Sequence, residues 1–302
     1  MKIPILVLAF NRADHVIESL KSIKEYQPDR LYLACDGPRQ NKPGERAAVD
    51  ETRKAMITSV DWNCEIKTLF RETNLGCARA VYEAISWFFE NEEYGIICED
   101  DIIIHADFFM LCEKYLPKYQ NEQQVMMICA YNPVPNYDKP NELCFMNVNH
   151  IWGWGSWRRA WEKMDMSLSQ WPSISKIKLF KEWGVFRGLF QYFRWNSVYK
   201  NIETCNSWAT RWNFAIFANE GLNLFANVNL MKNIGLTEGT HYTKYDVHSS
   251  IYLKFGEIDW PVIPPPNITM TTRSYFMLEL DCIKSKCFAL LKRIRKYTSY
   301  GK

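Results

Sequence analysis

Three carboxylates in a row, Glu99-Asp100-Asp101, follow directly on the apolar run Ile96-Ile97-Cys98. Like charges repel, and they lose solvation beside a buried strand, so this triplet needs a counterion. A divalent cation supplies one, and hard oxygen donors suit either Mn²⁺ or Mg²⁺. Such a cation would offset the charge on a departing diphosphate. Acidic triplets also occur as solvated turns, and it is the position behind an apolar run that favours the chemical reading. Other polar groups close other apolar runs in the same way. Asn11 and Arg12 follow Ile3–Phe10, and Asp36 follows Leu31–Cys35. Arg71 and Asn74-Leu75-Gly76 stand between a third run and a helical stretch. A helix N-terminus with a glycine suits phosphate or ribose, although it is also a routine strand-to-helix turn.

These residues converge only if their runs are parallel strands. Residues 3–10 read as a strand buried on both faces. Residues 31–35, 65–70, 94–98 and 125–130 read as further strands, with helices over 45–60, 77–89 and 107–119. A first helix places Val16, Ile17, Leu20 and Ile23 on one face, with Asp14 as its N-cap. This alternation predicts an α/β protein with a Rossmann-like, mainly parallel sheet flanked by helices. In such a sheet ligands bind beyond the carboxyl ends of the strands, where the polar residues above fall. After residue 130 the pattern loosens: 132–141 reads as a loop, 151–161 is rich in Trp and Gly, and Pro261–Pro266 interrupts the chain. The expected division is a nucleotide-sugar half over 1–131, an acceptor half of the same domain over 132–260, and an amphipathic tail over 261–302.

The chain has 302 residues and a formal net charge of +3, too small to imply nucleic acid as a partner. Aromatic residues make up 15% of it, which suits carbohydrate contact, a membrane interface or an aromatic core. The ten cysteines show no metal-finger spacing, and Cys98 and Cys129 sit in apolar runs as core residues do. Strand-forming sequence starts at once, and no apolar run spans a bilayer, so reduced cysteines and a cytoplasmic location are expected.

The order of these motifs resembles that of GT-A glycosyltransferases, in particular the N-acetylglucosaminyltransferase I type and bacterial surface-polysaccharide transferases. The matching pieces are Pro4–Phe10 with Arg12, Leu33–Asp36, Arg71 to Gly76, and Glu99-Asp100-Asp101 with Asp107-Phe108-Phe109. They continue through Gly153-Trp154 with Trp161, Ser207-Trp208 and Gly235–His241, so the similarity covers roughly residues 3–245. The resemblance implies a GT-A fold and a role at each position. Phe10, Asn11, Arg12, Asp36, Arg71, Asn74 and Gly76 would meet the nucleotide, Asp36 at its base or ribose. Glu99 would hold donor-sugar hydroxyls, Asp100 the ribose, and Asp101 the metal. Gly153 and Trp154 would line the sugar pocket, with Trp208 nearby; the competing reading for the tryptophans is core packing. His241 would reach the metal or a phosphate.

One position departs from that family. There the tryptophan matching Trp208 is followed by an Asp that serves as general base, whereas here the next residue is Ala209. Three readings stay open: another carboxylate such as Glu238 is the base, the chain is an inactivated variant, or the register is shifted. The implied activity is inverting transfer of a sugar, GlcNAc or Gal, from a UDP-type donor to a glycan or lipid-linked acceptor in bacterial surface polysaccharide synthesis. The non-enzymatic alternative is a nucleotide-sugar- or carbohydrate-binding protein that has lost its base. A sugar-nucleotide pyrophosphorylase is discounted because Phe10-Asn11-Arg12-Ala13-Asp14 contains no glycine. Residues 178–200 and 283–300 interleave aromatic or aliphatic residues with cations. That pattern fits peripheral contact with the inner face of a membrane, or an amphipathic helix packed on the sheet.

Overall fold

The computed structural model describes residues 2–235 and 254–284. The first apolar run forms strand β1 (Ile5–Ala9). The runs after it form β2 (Arg30–Cys35), β3 (Glu65–Phe70) and β4 (Tyr94–Glu99). Helices α1 (Ala13–Tyr26), α2 (Glu45–Thr58) and α3 (Cys77–Asn91) connect them. β1 pairs in parallel with β2 and β4, and β2 with β3, so each connection is a helical crossover. Val16, Leu20 and Ile23 of α1 are buried, as their spacing predicts. The cap is different. Arg12 occupies the N-cap of α1, and Asp14 lies in the first turn facing His15.

Two strands flank α4 (Ala106–Lys118): the short β5 (Ile102–Ile104) before it and β6 (Val125–Cys129) after it. The second half is less irregular than its sequence suggests. It supplies β7 (Leu143–Met146), β8 (Trp154–Trp157) and β9 (Leu222–Ala226) to the same sheet. The strand order is β3-β2-β1-β4-β8-β6-β9-β7. β8 runs antiparallel between β4 and β6, and β7 antiparallel to β9, while β9 is parallel to β6. Six of eight strands therefore share one direction, and the sheet is the mainly parallel, Rossmann-like one expected. A second sheet pairs β5 with β10 (Met231–Asn233).

The remaining helices are α5 (Arg158–Trp161), α6 (Lys176–Trp183), α7 (Val185–Lys200) and α8 (Trp208–Ala218). The aromatic content goes chiefly to the core. Trp154, Trp157, Trp183, Trp195 and Trp212 are wholly or almost wholly buried. Trp154 packs on Trp208, Trp212 and Trp161 with ring centroids 6.1–6.3 Å apart. A satellite cluster of Leu168, Trp171, Leu179, Trp183, Trp195, Phe214 and Phe217 forms beneath α6 and α7. Cys98 and Cys129 are buried as small hydrophobes. The returning segment is tied to α4 by Asp107, whose carboxylate accepts from the Ile258 backbone N–H and the Trp260 indole, both at 2.8 Å. Residues 272–284 are helical.

Candidate active site at the carboxyl edge of the sheet

Because β1, β2, β3 and β4 are parallel, their carboxyl ends share one edge and bring Arg12, Asp36, Arg71 and Glu99 to it. Arg12 closes the loop after β1 over the acidic triplet. Its Nη2 donates to Asp100 Oδ1 and, at 3.0 Å, to Asp101 Oδ2. One guanidinium cannot balance three carboxylates. Burial, reinforced by the charges of Asp101 and Asp100, pushes Glu99 up to about 8, against the pull of Arg12. Burial also raises Asp100 to about 6, outweighing Arg12. Asp101 Oδ1 is buried and has no hydrogen-bond partner among the described residues.

The chain leaving β10 crosses this cluster. The backbone N–H of Ile234 donates to Asp101 O at 2.9 Å. A Cβ on Gly235 would lie 2.2 Å from Asp101 Oδ2 and 2.9 Å from Arg12 Nη1. Gly235 is thus part of the site's wall, and the rest of the Gly235–His241 motif lies outside the described residues. Only a residue without a side chain lets the backbone come so near the ion pair.

A divalent cation fits these residues. Arg12 satisfies Asp100 and one oxygen of Asp101, leaving the other Asp101 oxygen without a partner among the described residues. Mg²⁺ and its analogues are commonly held by one or two carboxylates, with phosphate oxygens completing the shell. Among the described residues no cluster of three His, Cys, Asp or Glu groups is arranged as a metal cage. A cation here would therefore take part of its shell from outside the described residues. Glu238 and His241 lie outside the described residues.

Several other positions serve the scaffold. The Asp36 carboxylate, expected at a base or ribose, accepts from Gly37 N, Leu75 N, Gly76 N and Asn74 Nδ2 at 2.9–3.1 Å. It therefore pins the β3–α3 loop. Ala78 N donates to Asn206 Oδ1 at 2.8 Å, so these N-terminal amides of α3 are used internally rather than held ready for phosphate. Arg71 pairs with Glu83 of α3 at 3.1 Å. Asn11 Nδ2 lies 3.5 Å from Glu45, and the Phe10 ring lies under the Arg39 guanidinium at 5.5 Å. Phe10 and Arg39 give this end of the edge a flat aromatic and cationic surface.

Gly153, Trp154 and Trp208 do not face a sugar. Trp154 and Trp208 are core residues. Gly153 is buried with φ +71°, and a Cβ there would lie 2.9 Å from Ile104 Cδ1. The expectation came from the resemblance, and packing on other tryptophans favours the competing core reading for the two indoles. The half-buried aromatic at the edge is Trp152, whose ring meets Tyr131 at 5.1 Å, and Tyr131 meets His150 at 4.6 Å. Burial, with the Arg194 charge adding to it, drives His150 down to about 3. Ala209 is the second residue of α8. Ser207 caps that helix by accepting from Thr210 N at 3.4 Å, and Asn149 Nδ2 donates to Ala209 O at 3.3 Å. The Asn206–Ala78 bond sets the start of α8 against the start of α3, so Ala209 belongs to the same end of the molecule as the acidic triplet.

Fold and site together define an open α/β protein with a carboxylate cluster at the carboxyl edge of its central sheet. Neither a protein-family profile nor a curated relative matches the chain. Among solved structures it is similar to HddC from Yersinia pseudotuberculosis, at 9% identity and a TM-score of 0.34 over 57% of this chain and 87% of that one. It is also similar to a UDP-glucose pyrophosphorylase complexed with UDP-glucose, at 8% identity and a TM-score of 0.32 over 54% and 79%. Likeness this faint carries no argument about activity. No helix among the described residues is long and apolar enough to cross a membrane.

Proposed function

We propose that the protein is a metal-dependent glycosyltransferase that moves a sugar from a nucleotide diphosphate, UDP in the first instance, to a glycan or lipid-linked acceptor hydroxyl. The observation that carries this reading is the orphaned Asp101 Oδ1 inside an under-neutralised carboxylate cluster at the edge where α/β sheets bind ligands. Asp101 would hold Mn²⁺ or Mg²⁺, and the cation, when bound, would offset charge on the departing diphosphate. Arg12 fixes the Asp100 and Asp101 carboxylates in place. Phe10 and Arg39 suit a nucleobase, while Glu99 and Trp152 suit the sugar, Glu99 through its hydroxyls and Trp152 through a ring face. In an inverting transfer the acceptor oxygen attacks the anomeric carbon as the bond to the diphosphate breaks, and the hydroxyl proton passes to a base. By its resemblance to surface-polysaccharide transferases, the acceptor class would be a bacterial glycan or glycolipid, and GlcNAc or Gal the sugar.

Calorimetric titration of UDP with and without Mn²⁺ tests the reading. Binding should require the metal and be lost in Asp101→Asn. Metal-independent binding, or full binding by the variant, would overturn it.

Ala209 favours a second reading, a nucleotide-sugar-binding protein without turnover. A methyl group accepts no proton, and a well-placed base is worth about 10²–10⁴ in rate. Measuring UDP release by Ala209→Asp separates the two readings. Turnover rising by about that factor identifies a disabled enzyme, and no UDP release by either the wild type or the variant leaves a binder.

A further inference from the structure

Helix α7 has a buried side and an apolar exposed one. The first buries Arg187, Gly188, Gln191, Trp195 and Val198, and there Trp195 and Val198 enter the satellite core. The other presents Val185, Phe186, Leu189, Phe190 and Phe193 to solvent, 65%, 55%, 44%, 36% and 61% exposed. Their spacing of i, i+1, i+4, i+5 and i+8 sets all five on one side of a helix of 3.6 residues per turn. Ile177 of α6 is 81% exposed and Phe276 is 63% exposed. Glu279 accepts from the backbone N–H groups of Phe186 and Arg187 at 2.7 and 3.1 Å, and so docks residues 272–284 on the start of α7. Phe276 lies one helical turn before Glu279. An apolar face of this extent marks a place where something binds.

Charge decides what binds there. Residues 174–200 contain six Lys and Arg, of which all but the buried Arg187 are exposed or half-buried, and one carboxylate, Glu182. The ammonium of Lys178 lies 3.8 Å from Glu182, one turn away, and 2.6 Å from Glu220, which follows α8. A second copy docked about a two-fold axis would bring these cations together, which is unfavourable. A bilayer carrying anionic headgroups accepts the apolar side chains and complements the cations.

We propose that the outer face of α7, with Ile177 and Phe276, is a docking surface for an anionic lipid bilayer. The proposal goes beyond the transfer reading and does not rest on it. It does connect to the site. Arg194 of α7 donates from Nε and Nη2 to Thr210 Oγ1 at 3.1 and 2.8 Å, so the helix that meets the bilayer also holds the start of α8 beside Ala209. An acceptor carried on a lipid would reach the crevice from that side.

Co-sedimentation of the full chain with vesicles tests the surface. One set contains phosphatidylglycerol with phosphatidylcholine, the other phosphatidylcholine alone. The protein should pellet with the anionic set, be released by salt, and bind the neutral set at least about tenfold more weakly. The double variant Phe186→Ser, Phe193→Ser should lose about tenfold or more in binding to anionic vesicles, with Tm and metal-dependent UDP binding unchanged. Equal binding by variant and wild type would overturn the proposal, as would failure to bind anionic vesicles. A fall in Tm would mean that the chain's own residues cover the face. A concentration-dependent dimer abolished by the variant would mean that a second copy does. Either result rejects the bilayer.

Discussion

The acidic triplet is one motif whose members do different work. Asp100 is tied up by Arg12, Asp101 is half satisfied, and Glu99 carries the strongest penalty for being charged. This division depends on Gly235, whose missing side chain makes room for the Asp101 carboxylate. In Gly235→Ala the new methyl would force that carboxylate to turn, because its Cβ falls 2.2 Å from Oδ2. The expected outcome is a loss of about tenfold or more in Mn²⁺-dependent UDP affinity, equivalent to ~1.4 kcal/mol, measured by calorimetry. His150 gives a pH signature away from this cluster. Its folded-state value lies well below the ordinary 6.5, at about 3, so the unfolded chain binds a proton that the folded one refuses. The stability it contributes is present above pH 6.5 and is lost as pH falls toward 3. Thermal melts of wild type and His150→Gln across that range should diverge, with the wild type losing more Tm on acidification.

At the scale of elements, the β3–α3 turn is the clearest case of a motif with two readings in the sequence. Its residue types, Asn and Gly before a helix, match a phosphate cradle and match equally a loop clamped by a neighbouring carboxylate. Asp36 decides for the clamp, since its oxygens take up the donors of residues 74–76. Asp36→Ala should therefore destabilise the fold by about 1–3 kcal/mol, as donors in a half-buried loop go unpaired. Urea unfolding measures it. Binding of UDP should weaken indirectly, through loss of order at the carboxyl ends of β2 and β3. Strands β1, β2 and β4 were legible because each is a nearly continuous apolar run, and β3, Glu-Ile-Lys-Thr-Leu-Phe, from its place in the strand–helix alternation. The strand β8 was not. Trp-Gly-Ser-Trp has neither the length nor the alternation of a strand, and it is held by pairing on both sides, with β4 and with β6.

For the molecule as a whole, the tryptophans settle a question that composition leaves open. A carbohydrate-facing Trp154 would cost little stability when removed. A core Trp154, packed on three other indoles, should cost ~3–5 kcal/mol as Trp154→Ala. Equilibrium unfolding distinguishes the two, and the wholly buried ring predicts the larger value. Helices α7 and α8 share the satellite core, through Trp195 and Val198 of one and Phe214 and Phe217 of the other. The apolar outer face of α7 and the start of α8 are therefore joined through one packed cluster.

The sequence alone determined the alternating α/β architecture and the placing of Arg12 and Glu99-Asp100-Asp101 at strand ends. Hydrophobic periodicity and polar punctuation are local signals, and burial on both faces writes them directly into consecutive residues. Only the tertiary structure decided which polar groups remain free. Whether Asp36 meets a ligand or a loop, whether Trp154 or Trp152 reaches the edge, and whether Gly235 touches Asp101 all depend on residues tens to hundreds of positions apart. Hydrogen-bond satisfaction and close approach are properties of space, and no spacing along the chain encodes them.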